Sequence, residues 1–298
     1  MPERISFHDQ IRRNKMKSFF LIVIIFVFFI LLGWIIALAV NPGYFFFIMI
    51  FAIIFSLLYV LISYYNSDKI ALASVGAKKA NREEHAKFYH AAENMAIASG
   101  YKRPGLYVME SEQINAFASG RNPEKAVICV TTGCLRKLEK HELEGVIAHE
   151  MSHIANYDIR FMTLVAVMVG LISITAQIFL RSLWFSSGRD RKGNAWIMII
   201  AVVAAILAPL VAHLVSLAIS RKREFSADAT AVKFTRYPVG LKKALEKIRH
   251  EHLEDKDKKR YPQAMASLFI SDPFKSKIKG LFSTHPPIDV RIAKLEKM

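Results

Sequence analysis

Four long apolar stretches without a charged side chain constrain the fold of this 298-residue chain more than any other feature. They cover residues 19–40, 44–63, 161–180 and 195–219. About 20 apolar residues in a helix cross the hydrocarbon core of a bilayer, and the first stretch is too long for a signal peptide. The sequence therefore predicts four transmembrane helices, arranged as two hairpins.

The apolar stretches divide the chain into four parts. We predict an N-terminal transmembrane hairpin at residues 1–66 and a polar subdomain at 67–160. A second transmembrane hairpin follows at 161–219, and a C-terminal subdomain at 220–298. In the polar parts, the patterns predict helices at 78–99, 135–138 and 241–252 and short strands at 105–109, 114–118 and 126–130.

The distribution of basic residues predicts the orientation. The formal net charge is +16, and Lys and Arg concentrate at residues 1–17, 69–82, 160 and 221–223. These segments fall on one side of a four-span protein, and the opposite side has only the loop at 181–194. The positive-inside rule therefore places both termini and residues 67–160 in the cytoplasm. It also explains the basic charge without a nucleic-acid partner, for which the sequence has no motif.

A metal-binding pattern precedes the third apolar stretch. His149 and His153 are four residues apart, and Glu150 follows the first histidine, which is the pattern H-E-x-x-H. Residues i and i+4 lie on one face of an α-helix, so both histidines can bind one metal ion. The alternative is a core helix whose histidines bond to backbone carbonyls.

A catalytic zinc usually has three protein ligands, so a third one is needed elsewhere in the chain. Glu224 follows the fourth apolar stretch, and an antiparallel hairpin of spans three and four would bring it close to the motif. Asp228 is one helical turn further and can accept the N–H of a ligating histidine. The alternative for Glu224 is a surface carboxylate paired with Arg221 or Arg223.

These residues predict hydrolysis of a peptide bond by a zinc-activated water, with Glu150 as the general base. The developing oxyanion needs a further donor, for which His285 and Arg291 are candidates. His285 is equally compatible with a turn before two prolines. The strand at 114–118, which includes Asn115, could bind an extended substrate by edge pairing.

Three residues outside the motif have open roles. His213 lies within the fourth apolar stretch, where an ionisable residue can be functional or can lie near the interface. Cys129 and Cys134 are too few for a disulfide framework, and we expect free thiols in a reducing compartment.

Several motifs together resemble a known family. They are Asn115–Ala118 with Gly120–Pro123, Thr131–Gly133, Glu142–Val146 leading into His149–His153, Asn156, Asp158, Glu224–Asp228 and Thr284–Pro287 with Arg291 and Ile292. Over almost the whole chain, it resembles the HtpX family of bacterial membrane zinc metalloproteases, which is related to the CAAX prenyl proteases. The resemblance implies His149, His153 and Glu224 as zinc ligands and Glu150 as catalytic base. It further implies a substrate strand at Asn115 and helper roles for His285 and Arg291.

The predicted fold class is an α-helical integral membrane protein with four transmembrane helices and an α+β cytoplasmic zincin-like metalloprotease domain carrying a small β-sheet. The predicted function is a zinc-dependent endopeptidase, with one Zn²⁺ per chain, that cleaves misfolded or damaged membrane proteins in quality control. Its partners are protein substrates, unfolded or membrane-embedded, and the bilayer of the bacterial cell membrane. The alternatives are a scaffold or sensor with a structural zinc, and a transporter that binds zinc in mid-membrane through His213.

Overall fold

The computed structural model describes residues 7–40, 42–168, 170, 221–254, 265, 267–271 and 286–298. Three groups of predictions lie outside these residues. They are the fourth span with His213, most of the third span with the loop that follows it, and the role of His285.

Two antiparallel helices form an apolar hairpin at the N-terminal end. Helix α1 spans Phe7–Val40 and helix α2 spans Phe45–Tyr65, with a 3-10 turn at Pro42–Tyr44 between them. In the described part of the chain, these two helices are long and apolar enough to cross a membrane. Helix α1 begins well before residue 19, so the basic N-terminal segment continues the helix of the first span.

Close packing joins the two helices of this hairpin. A Cβ atom on Gly33 would meet the Cβ of Ala52 at 2.3 Å, so only glycine permits this approach. The outer side chains of α2 remain exposed, with Phe46 75% and Phe47 73% accessible. Exposed aromatic rings on a helix of this length are typical of a surface that faces lipid.

The hairpin packs against a further helix at residues 158–168. Leu21 and Ile25 of α1 belong to one buried cluster with Phe161 and Leu164. The hydroxyl of Tyr59 donates a hydrogen bond to the carbonyl of Met168 at 2.9 Å. The beginning of the predicted third span therefore lies beside the first hairpin.

Helix α3 (Ser67–Ser74) leads into a mixed sheet of four strands in the order β1-β2-β4-β3. The strands are β1 (Lys78–Lys79), β2 (Gly105–Met109), β3 (Ala116–Ser119) and β4 (Val127–Thr131). Strands β2 and β4 are parallel, and the other two pairs are antiparallel. Strand β3 therefore forms an edge of this sheet.

The helix predicted at residues 78–99 is wrong in its first part. Helix α4 spans only Ala86–Ser99, because Lys78–Lys79 pairs with β2. The Asn81 side chain then accepts hydrogen bonds from two backbone N–H groups of the following turn. Tertiary pairing thus overrides the local helical pattern. The predicted end of the helix is observed, with Gly100 in the left-handed conformation at φ 75°.

The other predicted elements exist with shifted ends. The strands at 114–118 and 126–130 are displaced by one or two residues, and the short helix at 135–138 becomes helix α5 (Thr132–Lys137). The C-terminal region contains helices α7 (Arg221–Thr235), α8 (Pro238–Glu254) and α9 (Ile288–Leu295), which follow α6 described next.

Helix α6 (Lys140–Ala155) lies at the centre of the polar region and carries the H-E-x-x-H pattern. It begins with a capping box, in which Glu139 and Glu142 each accept the other's backbone N–H. Helices α4, α7 and α8 and strand β3 all contact it. This packing buries α6 on all sides, which explains why its sequence lacks a continuous polar face.

Two glycines permit the contact between α6 and α8. A Cβ on Gly145 would lie 2.5 Å from the backbone nitrogen of Leu241, and one on Gly240 would lie 2.4 Å from the carbonyl oxygen of His141. Because the neighbouring atoms belong to the backbone, they cannot move aside as a side-chain tip could. The position of α8 on α6 therefore depends on the absence of these two Cβ atoms.

We expect Gly145→Val to separate α6 from α8 and to lower the free energy of unfolding by about 1–3 kcal/mol, the usual cost of overpacking. Thermal unfolding of the detergent-purified protein would measure this loss. Lys140→Ala, at an exposed position of the same helix, is the control and should leave the midpoint unchanged. An unchanged midpoint for Gly145→Val would contradict the close contact.

Candidate metal centre

Helix α6 brings the two histidines of the motif together. The Nε2 atoms of His149 and His153 lie 3.3 Å apart, and both side chains are buried. This proximity follows from their i, i+4 spacing on one helical face. Two imidazole nitrogens that face the same point form half of a metal site.

Glu224 approaches the same point from α7. Its Oε2 atom lies 3.6 Å from Nε2 of His149, and its Oε1 atom lies 3.7 Å from Nε2 of His153. The ligand atoms of the three residues all lie within 4.8 Å of one another. The structure thus brings together the three residues that the sequence predicts as zinc ligands, although about 70 residues separate Glu224 from the motif.

The spacing of these atoms fits a zinc ion. Ligands about 2.0–2.1 Å from a tetrahedral ion lie about 3.3 Å from one another. The two Nε2 atoms are 3.3 Å apart, and Glu224 presents one carboxylate oxygen to each of them at 3.6 and 3.7 Å, so these separations equal this value or are slightly longer. Two imidazoles and one carboxylate also form a donor set of catalytic zinc sites with an open fourth position.

Each histidine is oriented by a carboxylate on its other ring nitrogen. Nδ1 of His149 lies 2.9 Å from Asp228, as the sequence predicts, and Nδ1 of His153 lies 3.0 Å from Asp158. A proton on Nδ1 leaves Nε2 available as a metal ligand. The sequence analysis did not assign a role to Asp158, and its position five residues after His153 was the available signal.

Arg291 lies behind the histidine ligands and is completely buried. Its Nε and Nη2 atoms donate to the two oxygens of Asp228 at 2.9 and 2.6 Å, and its Nη1 atom donates to the carbonyl of Ile270 at 3.1 Å. The sequence predicts Arg291 as a donor to the transition state. In the structure its hydrogen bonds go to Asp228 and Ile270, and its Nη2 atom also lies 3.3 Å from Nδ1 of His149. Arg291 therefore meets His149 both through Asp228 and directly, and its role as a donor to the transition state stays a prediction.

These contacts change the proton affinities of the site. Burial opposes ionisation of Asp228, but Arg291 and His149 outweigh it and lower the pKa of Asp228 to about 2. Burial and Arg291 oppose protonation of His149, but its hydrogen bonds with Asp228 and Glu224 outweigh them and raise its pKa to about 9. Without a metal, the doubly protonated imidazolium form of His149 is therefore favoured. A metal ion that binds at Nε2 must displace the proton on that nitrogen.

Glu150 lies beside this cluster and is also buried. Burial is the largest cause that raises the pKa of Glu150, and Glu224 adds to it, whereas the two histidines and the backbone N–H of Ala118 lower it. Its Oε1 atom has no hydrogen-bond partner among the described residues. A buried carboxylate with a raised pKa and an available oxygen is suited to accept a proton.

The strand predicted to bind substrate is contacted by another segment of the same chain, at Phe269–Ser271. Phe117 of β3 forms an antiparallel bridge with Phe269, and the Asn115 side chain donates to the carbonyl of Ser271 at 2.9 Å. The edge at Phe117 therefore pairs with the chain itself, and substrate pairing along the strand at 114–118 stays a prediction. The Asn115 amide, predicted as a substrate contact, holds the segment that covers the first half of the strand.

The sequence of this chain is similar to those of known proteases. The profile of peptidase family M48 matches residues 83–298. A protease HtpX homologue of Thermoanaerobacter pseudethanolicus is 46% identical over 251 residues, covering 82% of this chain and 83% of the relative. The homologue of Dictyoglomus thermophilum is 41% identical over 293 residues, covering 98% and 95%. The crystal structure of S. mikatae Ste24p has a TM-score of 0.44 at 18% identity, covering 95% of this chain and 65% of that one.

A His-His-Glu cluster on an H-E-x-x-H helix, together with the family match, defines a metalloprotease. The chain belongs to peptidase family M48 and, by its relatives of 41–46% identity, to the HtpX proteases. The resemblance noted from the sequence motifs is thereby confirmed.

The pair of Asp228 and Arg291 yields a prediction about stability. Arg291→Met leaves a buried carboxylate without its cation, and we expect a loss on the order of 3–5 kcal/mol. The double variant Arg291→Met/Asp228→Asn removes both charges and should recover part of this loss. Denaturant unfolding of the metal-free protein in detergent would measure both.

An exposed ion pair in the same region is a matched control. Arg249 and Asp289 lie 2.9 Å apart, with side chains 42% and 74% accessible. Arg249→Met should therefore cost less than about 1 kcal/mol. If the double variant were as unstable as the sum of its single variants, Asp228 and Arg291 would not be energetically coupled.

Proposed function

We propose that this metalloprotease is a zinc-dependent membrane endopeptidase whose active centre is formed by His149, His153, Glu224 and Glu150. The observation that supports the proposal is the buried convergence of two Nε2 atoms and one carboxylate within 4.8 Å of one another, with Glu150 beside them. His149, His153 and Glu224 would hold the zinc ion, which would supply a Lewis acid for acidifying water and polarising the scissile carbonyl. Glu150 accepts the proton of the attacking water and passes it to the leaving amine.

Asp228 and Asp158 would keep the two histidines in the tautomer that leaves Nε2 for the metal. Arg291 would hold Asp228 ionised. An extended substrate would pair with the end of β3 at Ala118–Ser119, because the first half of the edge is covered by Phe269. Pairing through backbone groups recognises an extended chain more than its side chains, which suits unfolded segments as substrates.

The membrane arrangement belongs to the same proposal. The four-span topology, with domain boundaries at residues 66, 160 and 219, places the centre at the cytoplasmic face of a bacterial cell membrane. The exposed apolar faces of α1 and α2 support a membrane location, and the basic residues beside the spans support the orientation. The role in quality control, with misfolded or damaged membrane proteins as substrates, is what the resemblance to the HtpX family implies.

Glu150→Gln tests the chemistry. We expect the variant to retain one zinc ion per chain and to cleave casein at least about a hundredfold more slowly, because a general base is lost and the ligands are not. The protein would be purified in detergent with a chelator to limit self-cleavage, then freed of the chelator, reloaded with zinc and dialysed before metal content and cleavage are measured. Cleavage at the wild-type rate would exclude Glu150 as the base.

Two further variants in the same experiment separate the alternatives. Glu224→Ala should lose zinc, and His213→Ala should retain it. The reverse result would favour a transporter with a site in mid-membrane. A scaffold or sensor with a structural zinc is indicated if wild-type protein binds zinc and cleaves neither casein nor a membrane protein.

Cysteine labelling tests the orientation. The native Cys129 and Cys134 are buried, so a membrane-impermeant maleimide reports only on an introduced cysteine. We expect Lys297→Cys to react only after the cells are permeabilised, because the C-terminus faces the cytoplasm. Ser186→Cys, in the loop predicted on the other side, should react in intact cells. The opposite pattern would reverse the proposed topology.

A further inference from the structure

The first membrane helix reaches the metal centre through Asn14. This side chain is buried, and its Nδ2 atom donates to Oδ1 of Asp158 at 2.7 Å and to the carbonyl of Asn156 at 3.1 Å. An asparagine amide has two N–H groups, so these two bonds use both of them. A residue from α1, about 140 positions earlier in the chain, is thus bound to the partner of a metal ligand.

The sequence of α1 directs Asn14 to this place. Asn14, Ser18, Leu21 and Ile25 are spaced four, three and four residues apart and lie on one helical face, which is buried. The apolar end of this face packs against the 158–168 helix. Its polar end therefore meets the turn before that helix and the first residue of the helix, which together are Asn156 to Asp158.

These residues form an unusual turn after the motif helix. Tyr157 has φ 59°, a left-handed conformation that side chains other than glycine rarely adopt. Asn14 binds the residue on each side of Tyr157, and the ammonium group of Lys15 lies 4.5 Å from the centre of the Tyr157 ring. Two adjacent residues of α1 thus hold this turn at three points.

The turn determines where Asp158 presents its carboxylate. Oδ1 accepts from Asn14 and Oδ2 lies 3.0 Å from Nδ1 of His153, so one donor is bound to each oxygen. Rotation of the carboxylate would break both contacts. The orientation of the His153 ring consequently depends on a bond that originates in the first membrane helix.

We propose that Asn14 is a positioning residue of the metal centre, which fixes the His153 ring for metal binding through Asp158. The inference rests on the proposed zinc site. It makes the N-terminal hairpin part of the catalytic apparatus as well as a membrane anchor, because displacement of α1 would weaken metal binding. Asn14 itself touches neither the metal position nor a substrate.

A residue that only attaches α1 to the domain would also lower stability when it is removed, so stability cannot distinguish the two roles. Zinc affinity can, because coupling through Asp158 is specific. The experiment uses the full chain in detergent, stripped of metal and titrated with zinc in competition with a chromophoric chelator. The variants are Asn14→Ala, Asp158→Ala, the double variant and Ser18→Ala.

Loss of a carboxylate partner of a ligating histidine weakens metal binding by about 10- to 100-fold, which we expect for Asp158→Ala. Asn14→Ala acts one bond further away and should weaken it about three- to tenfold. In the Asp158→Ala background the Asn14→Ala change should add less than about twofold, because its target is already absent. Ser18 lies on the same buried face, and its hydroxyl donates to the carbonyl of Asn14 within α1. Ser18→Ala leaves the Asn14 amide and Asp158 in place, so zinc affinity should not change.

Asn14→Asp is a second test that preserves the shape of the side chain. It presents an oxygen to Asp158 in place of the amide nitrogen, so zinc affinity should fall at least as far as in Asn14→Ala. Unchanged affinity in both variants overturns the inference. If Asn14→Ala lowers zinc affinity by the same factor in the wild-type and Asp158→Ala backgrounds, the inference is also overturned. Asn14 would then serve only to attach α1 to the domain. If wild-type protein binds no zinc, the proposed function fails and this inference fails with it.

Discussion

Two buried contacts between histidine Nδ1 atoms and carboxylates are the interactions on which the centre depends. Asp228 holds His149 and Asp158 holds His153, so that both Nε2 atoms face Glu224. A neutral imidazole can carry its proton on either nitrogen, and a carboxylate at Nδ1 selects the tautomer that a metal requires. Helix α6 alone supplies the spacing of the histidines, and these contacts supply their orientation.

Each carboxylate is in turn held from a distant part of the chain. Arg291 of α9 binds Asp228, and Asn14 of α1 binds Asp158. The centre is therefore the point where the first helix, the motif helix, α7 and the last helix meet. Because no one segment contains a complete site, the geometry of the centre depends on how these helices pack against one another. This arrangement explains why so many charged groups are buried here, since each has an oppositely charged or hydrogen-bonding partner.

Predictions from local sequence patterns succeeded where the pattern, such as apolar length or helical spacing, directly causes the structure. The apolar stretch at 44–63 became α2, and the i, i+4 histidines share a helical face. Predictions failed where a distant segment changes a local preference. Lys78–Lys79 has a helical context but pairs with β2, and the edge of β3 is covered by Phe269 from near the C-terminus. Asp158 received no role because its position five residues after His153 does not by itself show that the turn at Tyr157 directs it back to that histidine.

The sequence by itself determined the apolar hairpin, the motif helix and the identity of the three candidate ligands, because these depend on hydrophobicity and on helical periodicity. It also indicated Glu224 as the third ligand, since a predicted hairpin of spans three and four would bring this residue near the motif. Only the tertiary structure decided that Arg291 serves Asp228 and that Asn14 serves Asp158. Hydrogen bonds between residues more than 60 positions apart leave no periodic signal, and they form only when packing excludes water and brings the partners into contact.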